Sequence, residues 1–369
     1  MKSKRALRIG LTLLVGLGLM LPAQLATARP EKQNATAEVQ VIAEGLRAPR
    51  GLSFGPGWRA LYVAESGKGG NGLCAEHPAL GEACFGRSGR ITKIDDEGRT
   101  TLAGGQGSIA GAFEGLGPHD VTVQGGRVVF TTGLGGPPEL RAEFGSRAEE
   151  ALGQLLASDR SGSGDVEGVA DLVAFEGAEN PDGGAIDSNP FGVLASGKWT
   201  YVADAGANAL LRVSRKGQIQ TVSVFPDRIV DLGGAPFSMD AVPTTVARGP
   251  DGRLYVGQLT GFPFPLGGAR IYRIERDGDP EVFARGFTNI IDLAFGKNGT
   301  MYVLEIAHNS LQAAEPEGAV IRVGKNGSRE IVADGLFFPG GLAVGRRGEL
   351  YVTNCGICFE DGEVLRITQ

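Results

Sequence analysis

The amino-acid sequence predicts an all-β protein, a six-bladed β-propeller whose ring is closed by the N-terminal strand. The first supporting observation is a repeated unit, whose last copy is PGGLAVGRRGELYVTN at 339–354. Each copy reads as a short apolar strand, a tight turn and a second strand that ends in a polar residue, which is the pattern of a β-hairpin. The six copies end at Glu65, Thr132, Asp204, Gln258, Glu305 and Asn354.

The segments between copies supply the remaining strands of each blade. A third strand follows most copies, as in GEVLRIT at 362–368, and a fourth follows another turn, as in SREIVADG at 328–335. Four antiparallel strands repeated radially describe a propeller. Tyr255, Tyr302 and Tyr351 hold equivalent positions 47 (302 − 255) and 49 (351 − 302) residues apart, close to the roughly 40 to 50 residues of one blade.

The two ends of the chain predict how the ring closes. Only 18 residues (369 − 351) follow Tyr351, enough for a third strand of the last blade but not for a fourth. The string AEVQVIAEGL at 37–46 resembles the fourth strand SREIVADGL at 328–336. An N-terminal strand that completes the last blade pairs edges that would otherwise be exposed. Residues 37–369 are therefore predicted to form a single domain.

The N-terminal segment has the three parts of a Sec-type signal peptide. Four basic residues come first, an apolar run occupies 9–21, and Ala-Thr-Ala at 26–28 forms an A-x-A site with cleavage after Ala28. The apolar run is too short to span a bilayer. We expect residues 1–28 to be removed, 29–36 to form a short disordered lead-in, and the mature protein to be secreted or periplasmic without membrane insertion.

Net charge argues against two classes of partner. The formal charge is −6 for the whole chain and −10 (−6 − 4) after removal of the four basic residues of the signal peptide. An acidic surface disfavours binding to nucleic acid and to anionic membranes. We expect neither partner, and we expect a monomer.

The longer connections are expected on one face of the propeller, here called the looped face. In a blade of antiparallel strands, the loops between the second and third strands and those between blades open on the same side. The long segments are nearly all of these kinds, at 66–88, 133–152, 260–268 and 307–318, and between blades at 104–117, 177–189 and 226–242. Loops on a rigid scaffold are where a binding site is expected.

The four cysteines lie in loops of the first and last blades, which are neighbours in a closed ring. In an exported protein an even number of cysteines indicates disulfides. The simplest pairing joins Cys74 to Cys84 and Cys355 to Cys358, and the alternative is crossed bridges between the two blades. A redox dithiol at Cys355 and Cys358 is disfavoured, because such motifs normally open a helix and this one follows a strand.

The residue after the first position of each copy is expected at the rim of the central channel. A hard cation such as calcium requires several oxygen ligands. The rim offers almost none, although Asn189, Asn289 and Asp292 stand nearby as candidate ligand-binding residues. No metal site is predicted, and calcium stays an open alternative. The six rim positions are Arg50, His119, Phe191, Thr244, Ile291 and Gly340.

His119 is the best candidate for a catalytic general base. It is expected at the rim beside Asp120, whose carboxylate could orient the imidazole ring. The other two histidines are His77 and His308, and no serine has a visible histidine and acid partner. The alternative is that His119 is a structural residue.

The polar residues that end the second strands form another ring. Side chains of this kind commonly cap the loop that follows them by accepting hydrogen bonds from backbone N–H groups. We expect this structural role for the ring, with ligand binding as the alternative.

Aromatic residues are concentrated in one loop. The segment GQLTGFPFPLGG at 257–268 places Phe262 and Phe264 between prolines in a loop too short to bury both easily. Together with Phe191 and Phe237 they could form the wall of an apolar pocket. The alternative is that the loop covers the channel mouth and packs on itself.

Several strings resemble a known family. GLCAEHPALGEACFGRSGRITKI, LYVGQLTGFPFPLGGARIYRI and GFTNIIDLAFGKNGTMYVLEIAHN are similar to the ScyD/ScyE family, exported bacterial propellers named from the gene cluster for the pigment scytonemin. The resemblance covers the whole mature chain. It implies a six-bladed propeller related to the NHL and TolB-like groups, and it brings no catalytic residues to this chain.

Two functional hypotheses follow. The leading one is an exported propeller without catalytic activity that binds a small molecule, a glycan or a protein on its looped face. The competing one is an enzyme, either a metal-dependent lactonase or lyase or a quinone-dependent sugar dehydrogenase, with His119 as its base.

Overall fold

The computed structural model describes residues 37–162, 165–275 and 278–369. The expected signal peptide at 1–28 and lead-in at 29–36 lie outside the described residues. Residues Ala37–Gln369 form one compact unit. Within the described ranges, no helix is long and apolar enough to cross a membrane.

Strands dominate the described residues. In chain order they are β1 (Glu38–Leu46), β2 (Pro49–Phe54), β3 (Leu61–Glu65), β4 (Cys74–His77), β5 (Gly81–Asp95), β6 (Gly98–Ala110), β7 (Gly115–Leu116), β8 (Pro118–Gln124), β9 (Arg127–Thr132), β10 (Gln154–Asp159), β11 (Glu167–Asp171), β12 (Pro190–Ser196), β13 (Trp199–Asp204), β14 (Ala209–Ser214), β15 (Ile219–Val224), β16 (Arg228–Leu232), β17 (Ala235–Met239), β18 (Pro243–Arg248), β19 (Leu254–Gln258), β20 (Ala269–Ile274), β21 (Pro280–Phe287), β22 (Ile290–Phe295), β23 (Met301–Glu305), β24 (Gly318–Val323), β25 (Arg329–Leu336), β26 (Gly341–Val344), β27 (Leu350–Asn354) and β28 (Gly362–Thr368). The helices are α1 (Leu140–Glu143), α2 (Ser146–Glu149) and α3 (Leu172–Glu179), with a 3-10 turn at Pro56–Trp58.

The strands form the predicted six-bladed β-propeller. Blades one to five are β2-β3-β5-β6, β8-β9-β10-β11, β12-β13-β14-β15, β18-β19-β20-β21 and β22-β23-β24-β25. Blade six is β26-β27-β28-β1, with Glu38 opposite Thr368 in an antiparallel pair, so the N-terminal strand closes the ring as predicted. The innermost strands β2, β8, β12, β18, β22 and β26 contact one another in a cycle.

The core lies between neighbouring blades. Alternate residues of each strand point to opposite faces of its sheet, so each blade presents apolar side chains to both neighbours. At the closure, Leu52 and Val63 of blade one pack with Ala343 and Val364 of blade six. Burial of this kind contributes roughly 25 cal/mol for each Å² of apolar surface removed from water.

The looped face carries elements that the sequence analysis did not predict. Helices α1, α2 and α3 lie in the connections of blade two, and β4 pairs with an extension of β5 above blade one. A separate two-stranded hairpin, β16-β17, precedes blade four. Its turn residues Gly233 and Gly234 have φ values of 64° and 89°, a region that glycine adopts without steric cost.

The polar residues that end the second strands have a structural role, but their main partners differ from the expected ones. Five of the six bind the backbone where the first strand of the same blade begins, whereas the Thr132 hydroxyl pairs with Gln154 on the third strand of blade two. The Arg47 amide donates to Glu65 Oε2 at 2.6 Å, and the Thr288 amide donates to Glu305 Oε1 at 2.6 Å. Equivalent contacts join Asp204 to the Asn189 amide, Gln258 to the Ala241 carbonyl and Asn354 to the Phe337 amide.

Both disulfides have the simplest predicted connectivity. Cys74 on β4 pairs with Cys84 on β5 at a Cα–Cα distance of 4.0 Å, and Cys355 pairs with Cys358 at 5.3 Å. The crossed bridges between the first and last blades are not formed. Each disulfide therefore constrains one loop of the looped face.

We expect the two disulfides to contribute unequally to stability. The sequence separations are 10 residues for Cys74–Cys84 and 3 residues for Cys355–Cys358. Because loop-closure entropy grows with loop length, the paired Cys74→Ser and Cys84→Ser variant should lose about 2.5 kcal/mol and the Cys355→Ser and Cys358→Ser variant about 1.5 kcal/mol. Urea unfolding without reductant measures both losses. A larger loss for the shorter loop would contradict this reading.

Candidate functional site

The residues expected at the channel rim are buried in the ring. His119 has no exposed surface, and the exposed fractions of Arg50 and Phe191 are only 3% and 9%. In the first five blades the register of the innermost strand shifts at this position, which marks a β-bulge. A bulge re-aims the extra side chain. The sequence identified the positions but not their burial.

His119 makes one hydrogen bond and leaves one nitrogen without a partner. Its Nδ1 lies 3.0 Å from the carbonyl oxygen of Pro190. Since a carbonyl only accepts, Nδ1 carries the proton and Nε2 is an acceptor, which has no hydrogen-bond partner. The ring centroid lies 4.6 Å from that of Phe191. Phe191 is thus a neighbour of His119 and not part of an aromatic surface in the loops.

The protonation state of His119 counts against the expected base. Burial, and then the positive charge of Arg50, lower the pKa of His119 from 6.5 to about 3. A general base works best when its pKa lies near the operating pH. A neutral imidazole with a pKa of about 3 and no solvent exposure is therefore a weak base.

Asp120 does not orient His119. Its carboxylate accepts hydrogen bonds from the amides of Val121 and Val193, both at 2.7 Å. The Val193 bond connects blade two to blade three. The orienting contact proposed from the sequence is therefore absent.

Asp292 holds the equivalent position in blade five. Its Oδ1 accepts from the Thr245 hydroxyl and its Oδ2 from the Leu342 amide, both at 2.7 Å, so the side chain joins blades four, five and six. Burial raises the pKa of Asp292 to about 6, and burial together with the charge of Asp292 raises that of Asp120. The two carboxyl groups brace the ring, and the oxygens of Asp292 are engaged by protein donors.

The two asparagines expected to bind a ligand differ. Asn289 is 1% exposed and bridges two loops, donating to the Leu259 carbonyl and accepting from the Leu311 amide, both at 3.0 Å. Its polar atoms are thus occupied. Asn189 Oδ1 has no partner, and a Cβ added to Gly133 would lie 2.6 Å from it and 2.0 Å from His119 Cε1. Asn189 and His119 are therefore close neighbours.

Three of the predicted aromatic residues come together on the looped face. The ring centroids of Phe237 and Phe262 lie 5.5 Å apart, and those of Phe262 and Phe264 lie 6.3 Å apart, both edge to face. Edge-to-face contacts at such distances stabilise aromatic pairs. Phe237 and Phe262 remain 36% and 44% exposed. We call Phe237, Phe262 and Phe264 the aromatic ledge.

The loop that carries Phe262 and Phe264 is held by hydrogen bonds to its surroundings. The amides of Thr260 and Gly261 donate to the carbonyls of Ala241 and Asp240. The Ser310 hydroxyl donates to the Phe264 carbonyl at 2.8 Å. The loop is thus fixed to the segment before blade four and to a loop of blade five, while Phe262 stays accessible.

A group of carboxylates that the sequence analysis did not bring together lies beside the ledge. We call it the acidic basin, and its electrostatic contacts connect Asp187 with Asp182, Asp204 and Asp240. The buried members are Glu176 and Asp204, with exposed fractions of 1% and 0%. No salt bridge of the described residues includes any member. The members are Glu176, Asp182, Asp187, Asp204 and Asp240.

Burial and mutual repulsion raise the proton affinity of the basin. They raise the pKa of Glu176 to about 7 and that of Asp187 to about 6, with burial as the larger cause in both. Asp204 also has a raised pKa because it is buried, although the Ser188 hydroxyl and backbone amides offset part of this effect. The basin therefore concentrates negative charge without a matching cation.

Other features of the described residues lie away from this region. A groove of about 970 Å³ opens beside blades one and two, with Arg87, Gln106, Arg147 and Glu149 among its walls. Both ring nitrogens of His77 are hydrogen-bonded, Nε2 to the Leu134 carbonyl and Nδ1 to the Ala79 amide. Among the residues that the structure describes, no group of three or more His, Cys, Asp or Glu side chains is arranged to hold a metal ion.

Comparisons with known proteins report on the fold. No protein-family model matches the sequence, and no curated protein matches it. A solved protein of unknown function from Bacteroides thetaiotaomicron is similar with a TM-score of 0.55 and 11% identity, over 90% of this chain and 76% of that one. A putative gluconolactonase has a TM-score of 0.53 and 15% identity, over 90% and 92%. A glucose dehydrogenase has a TM-score of 0.52 and 15% identity, over 90% and 99%.

These solved structures are six-bladed β-propellers, as is this chain. At 11% to 15% identity the similarity concerns the architecture alone, because a propeller supports many unrelated functions.

Proposed function

We propose that this protein is an exported member of the ScyD/ScyE family that binds an organic small molecule on its looped face and does not transform it. The family assignment rests on the sequence strings that resemble that family. The observation that carries the binding function is the aromatic ledge, with Phe262 44% exposed in a loop anchored at both ends. Aromatic surface held in place in this way suits the apolar part of a ligand.

The inner ring supports binding over catalysis. Asp120, Asp292 and Asn289 are engaged by hydrogen bonds that hold the blades and loops together. His119 is neutral and buried, with a pKa lowered to about 3. The exposed groups are instead the aromatic ledge and the rim of the acidic basin. Glycans and proteins, the other partner classes expected from the sequence, are outcomes of the same tests.

We expect Phe262→Ala to weaken binding of the neutral fluorescent dye Nile red at least about tenfold, because the substitution removes the central ring of the ledge, a loss of about 1.4 kcal/mol. The measurement is a fluorescence titration of the full chain. Phe283→Ala is the matched control, since Phe283 is 46% exposed but lies on the outer strand β21. Equal affinities of Phe262→Ala and the unaltered protein would place the binding surface elsewhere.

An enzyme is the second candidate, and two unpartnered atoms favour it. His119 Nε2 and Asn189 Oδ1 are buried and have no hydrogen-bond partners, and the two side chains are close neighbours beside Gly133. Elemental analysis and an absorbance spectrum of protein purified without chelators test this candidate. Stoichiometric calcium or another metal, or a quinone band, would favour a lactonase, lyase or dehydrogenase and direct mutagenesis to His119. A colourless protein without metal would support the binding function.

A further inference from the structure

The acidic basin and the aromatic ledge meet at one residue pair. Gly261, which precedes Phe262, packs on Asp240: its amide donates to the Asp240 carbonyl at 3.0 Å. A Cβ added to Gly261 would lie 3.2 Å from Asp240 Oδ2. The carboxylate of Asp240 therefore stands at the foot of the loop that carries the ledge. An occupant of the ledge would lie beside this charge.

The basin extends inward from Asp240 to buried carboxylates. Asp240 interacts electrostatically with Asp182, and Asp187 interacts with both of these groups and with Asp204. Asn208 supports the wall by donating to Asp182 Oδ2 at 3.0 Å and accepting from the Val242 amide at 2.9 Å. The wall is thus fixed to the segment that precedes blade four.

A buried, unsatisfied side chain faces the same region. Glu176 on α3 is 1% exposed, and neither of its carboxylate oxygens forms a hydrogen bond of normal geometry, although the nearby Asp187 backbone amide offsets part of the rise in its pKa. Its electrostatic neighbours are Asp204, Asp182 and Asp187, so the carboxylate faces the basin. Leaving a buried acceptor unpaired costs about 1 to 3 kcal/mol, and more when the group is charged. A donor that enters the basin would relieve this cost.

The arrangement discriminates among classes of ligand. An anion would be repelled by several unpaired carboxylates. The described carboxylates are spread along the loops and do not converge as metal ligands would. A large organic cation with several N–H donors can reach carboxylates that are too widely spaced to bind one metal ion. Its apolar portion can pack on the exposed phenylalanine rings. The faces of these rings also attract cations.

Resting on the proposed binding function, we infer that the ligand is an organic cation with an apolar or aromatic body. Its ammonium or guanidinium group lies in the acidic basin, where it donates hydrogen bonds to carboxylates. Its body packs on Phe237 and Phe262.

Three probes of similar shape and different charge test this inference: 2-phenylethylammonium, 2-phenylethanol and phenylacetate. Their dissociation constants for the full chain are measured by ligand-observed NMR at low ionic strength. We expect the ammonium to bind at least about tenfold more tightly than the alcohol, and phenylacetate to bind most weakly, because opposite charges attract strongly at low salt. Added salt should weaken the binding of 2-phenylethylammonium and leave the binding of 2-phenylethanol unchanged.

Two variants test whether carboxylates of the acidic basin cause the preference for the ammonium probe. Asp240→Asn and Asp187→Asn each remove a partly or fully exposed carboxylate, so both should fold. Each should lower the affinity for 2-phenylethylammonium several-fold and leave that for 2-phenylethanol unchanged. Asp361→Asn, an exposed aspartate of the loop before β28, is the matched control and should change neither affinity.

The outcomes separate the two proposals. Binding of Nile red and 2-phenylethanol at Phe262 without a preference for the ammonium would overturn the cation inference and leave the proposed function standing. An ammonium preference that Asp240→Asn and Asp187→Asn do not reduce would also overturn the inference. Failure of every probe to bind would overturn both. A preference lost in these variants and kept in Asp361→Asn would support the inference.

Discussion

The free energy of unfolding is expected to fall by about 2 kcal/mol between about pH 6 and about pH 8. Burial raises the pKa of Asp292 to about 6 and that of Glu305 to about 7. A carboxyl group with a raised folded-state pKa binds its proton more tightly in the folded protein than in the unfolded chain. Its stabilising contribution is therefore fully present below about pH 4, where both states are protonated, and it is lost as pH rises through the folded-state pKa, which is about 6 for Asp292 and about 7 for Glu305.

The buried histidines act in the opposite direction. Burial lowers the pKa of His77, and burial with the charge of Arg50 lowers that of His119 to about 3. These groups stay neutral in the folded protein while they protonate in the unfolded chain, so they reduce stability as pH falls below about 6.5. The carboxyl groups with raised pKa values are more numerous. We therefore expect maximal stability on the acidic side of neutrality.

Urea unfolding across this range tests the pH dependence, and Glu305→Gln isolates one contribution. The amide oxygen of the new side chain can still accept the hydrogen bond from the Thr288 amide, while the buried charge is gone. The variant should be more stable than the unaltered protein at about pH 8 and should show a flatter profile. Glu143→Gln, at an exposed position on α1, is the control. A profile that rises towards pH 8 would contradict this account of the buried carboxyl groups.

Gly51→Ala is expected to destabilise the ring by about 3 kcal/mol or more. A Cβ at this position would lie 2.0 Å from Asp120 Oδ1 and 2.5 Å from its Cγ. Separations this short cannot be accommodated without moving the carboxylate. That movement would break its hydrogen bonds to the Val121 and Val193 amides, so steric strain and unpaired buried amides add to one another.

Chemical denaturation measures the loss of stability in Gly51→Ala, and two further variants identify its cause. Gly168→Ala is the matched control, because no heavy atom lies within 4 Å of a Cβ added there. Asp120→Gly introduces the residue found at the equivalent position of blades one, three and six, and it removes the obstruction. Asp120→Gly should therefore lower the free energy of unfolding less in the Gly51→Ala variant than in the unaltered protein. Strictly additive losses would show that Asp120 is not the obstruction.

The fold was predictable because its signals are local and repeated. The turn residues, the apolar alternation and the complementary strings at the two ends all depend on positions close together in each copy. The hairpin β16-β17 was missed, although Gly233-Gly234 between strand-like residues is a turn signal, because residues 226–242 were assigned to a connection between blades. The helices of blade two were missed because α1 and α2 have four residues each and α3 has eight, which is too few to show a clear helical periodicity.

The site was less predictable because side-chain surroundings depend on contacts distant in sequence. Phe262 and Phe264 were identified from their loop, whereas the Phe191 ring packs beside His119 and not with theirs. The neighbouring positions of His119 and Asp120 suggested a contact, whereas adjacent residues of a strand point apart. The acidic basin combines α3, two connections between blades and the end of β13, and no single stretch of sequence reveals such a group.

The closure of the ring has a consequence for biosynthesis. The Thr368 hydroxyl meets the Glu38 carbonyl across 330 positions of the chain. Of the described strands, a ribosome makes β1 first and β28 last, so β1 has no partner until β28 has been made. Until then β1 presents an unpaired strand edge, which is a template for aggregation. Contacts between such distant segments also slow folding. A chaperone that shields the β1 edge would therefore act over the entire period of synthesis.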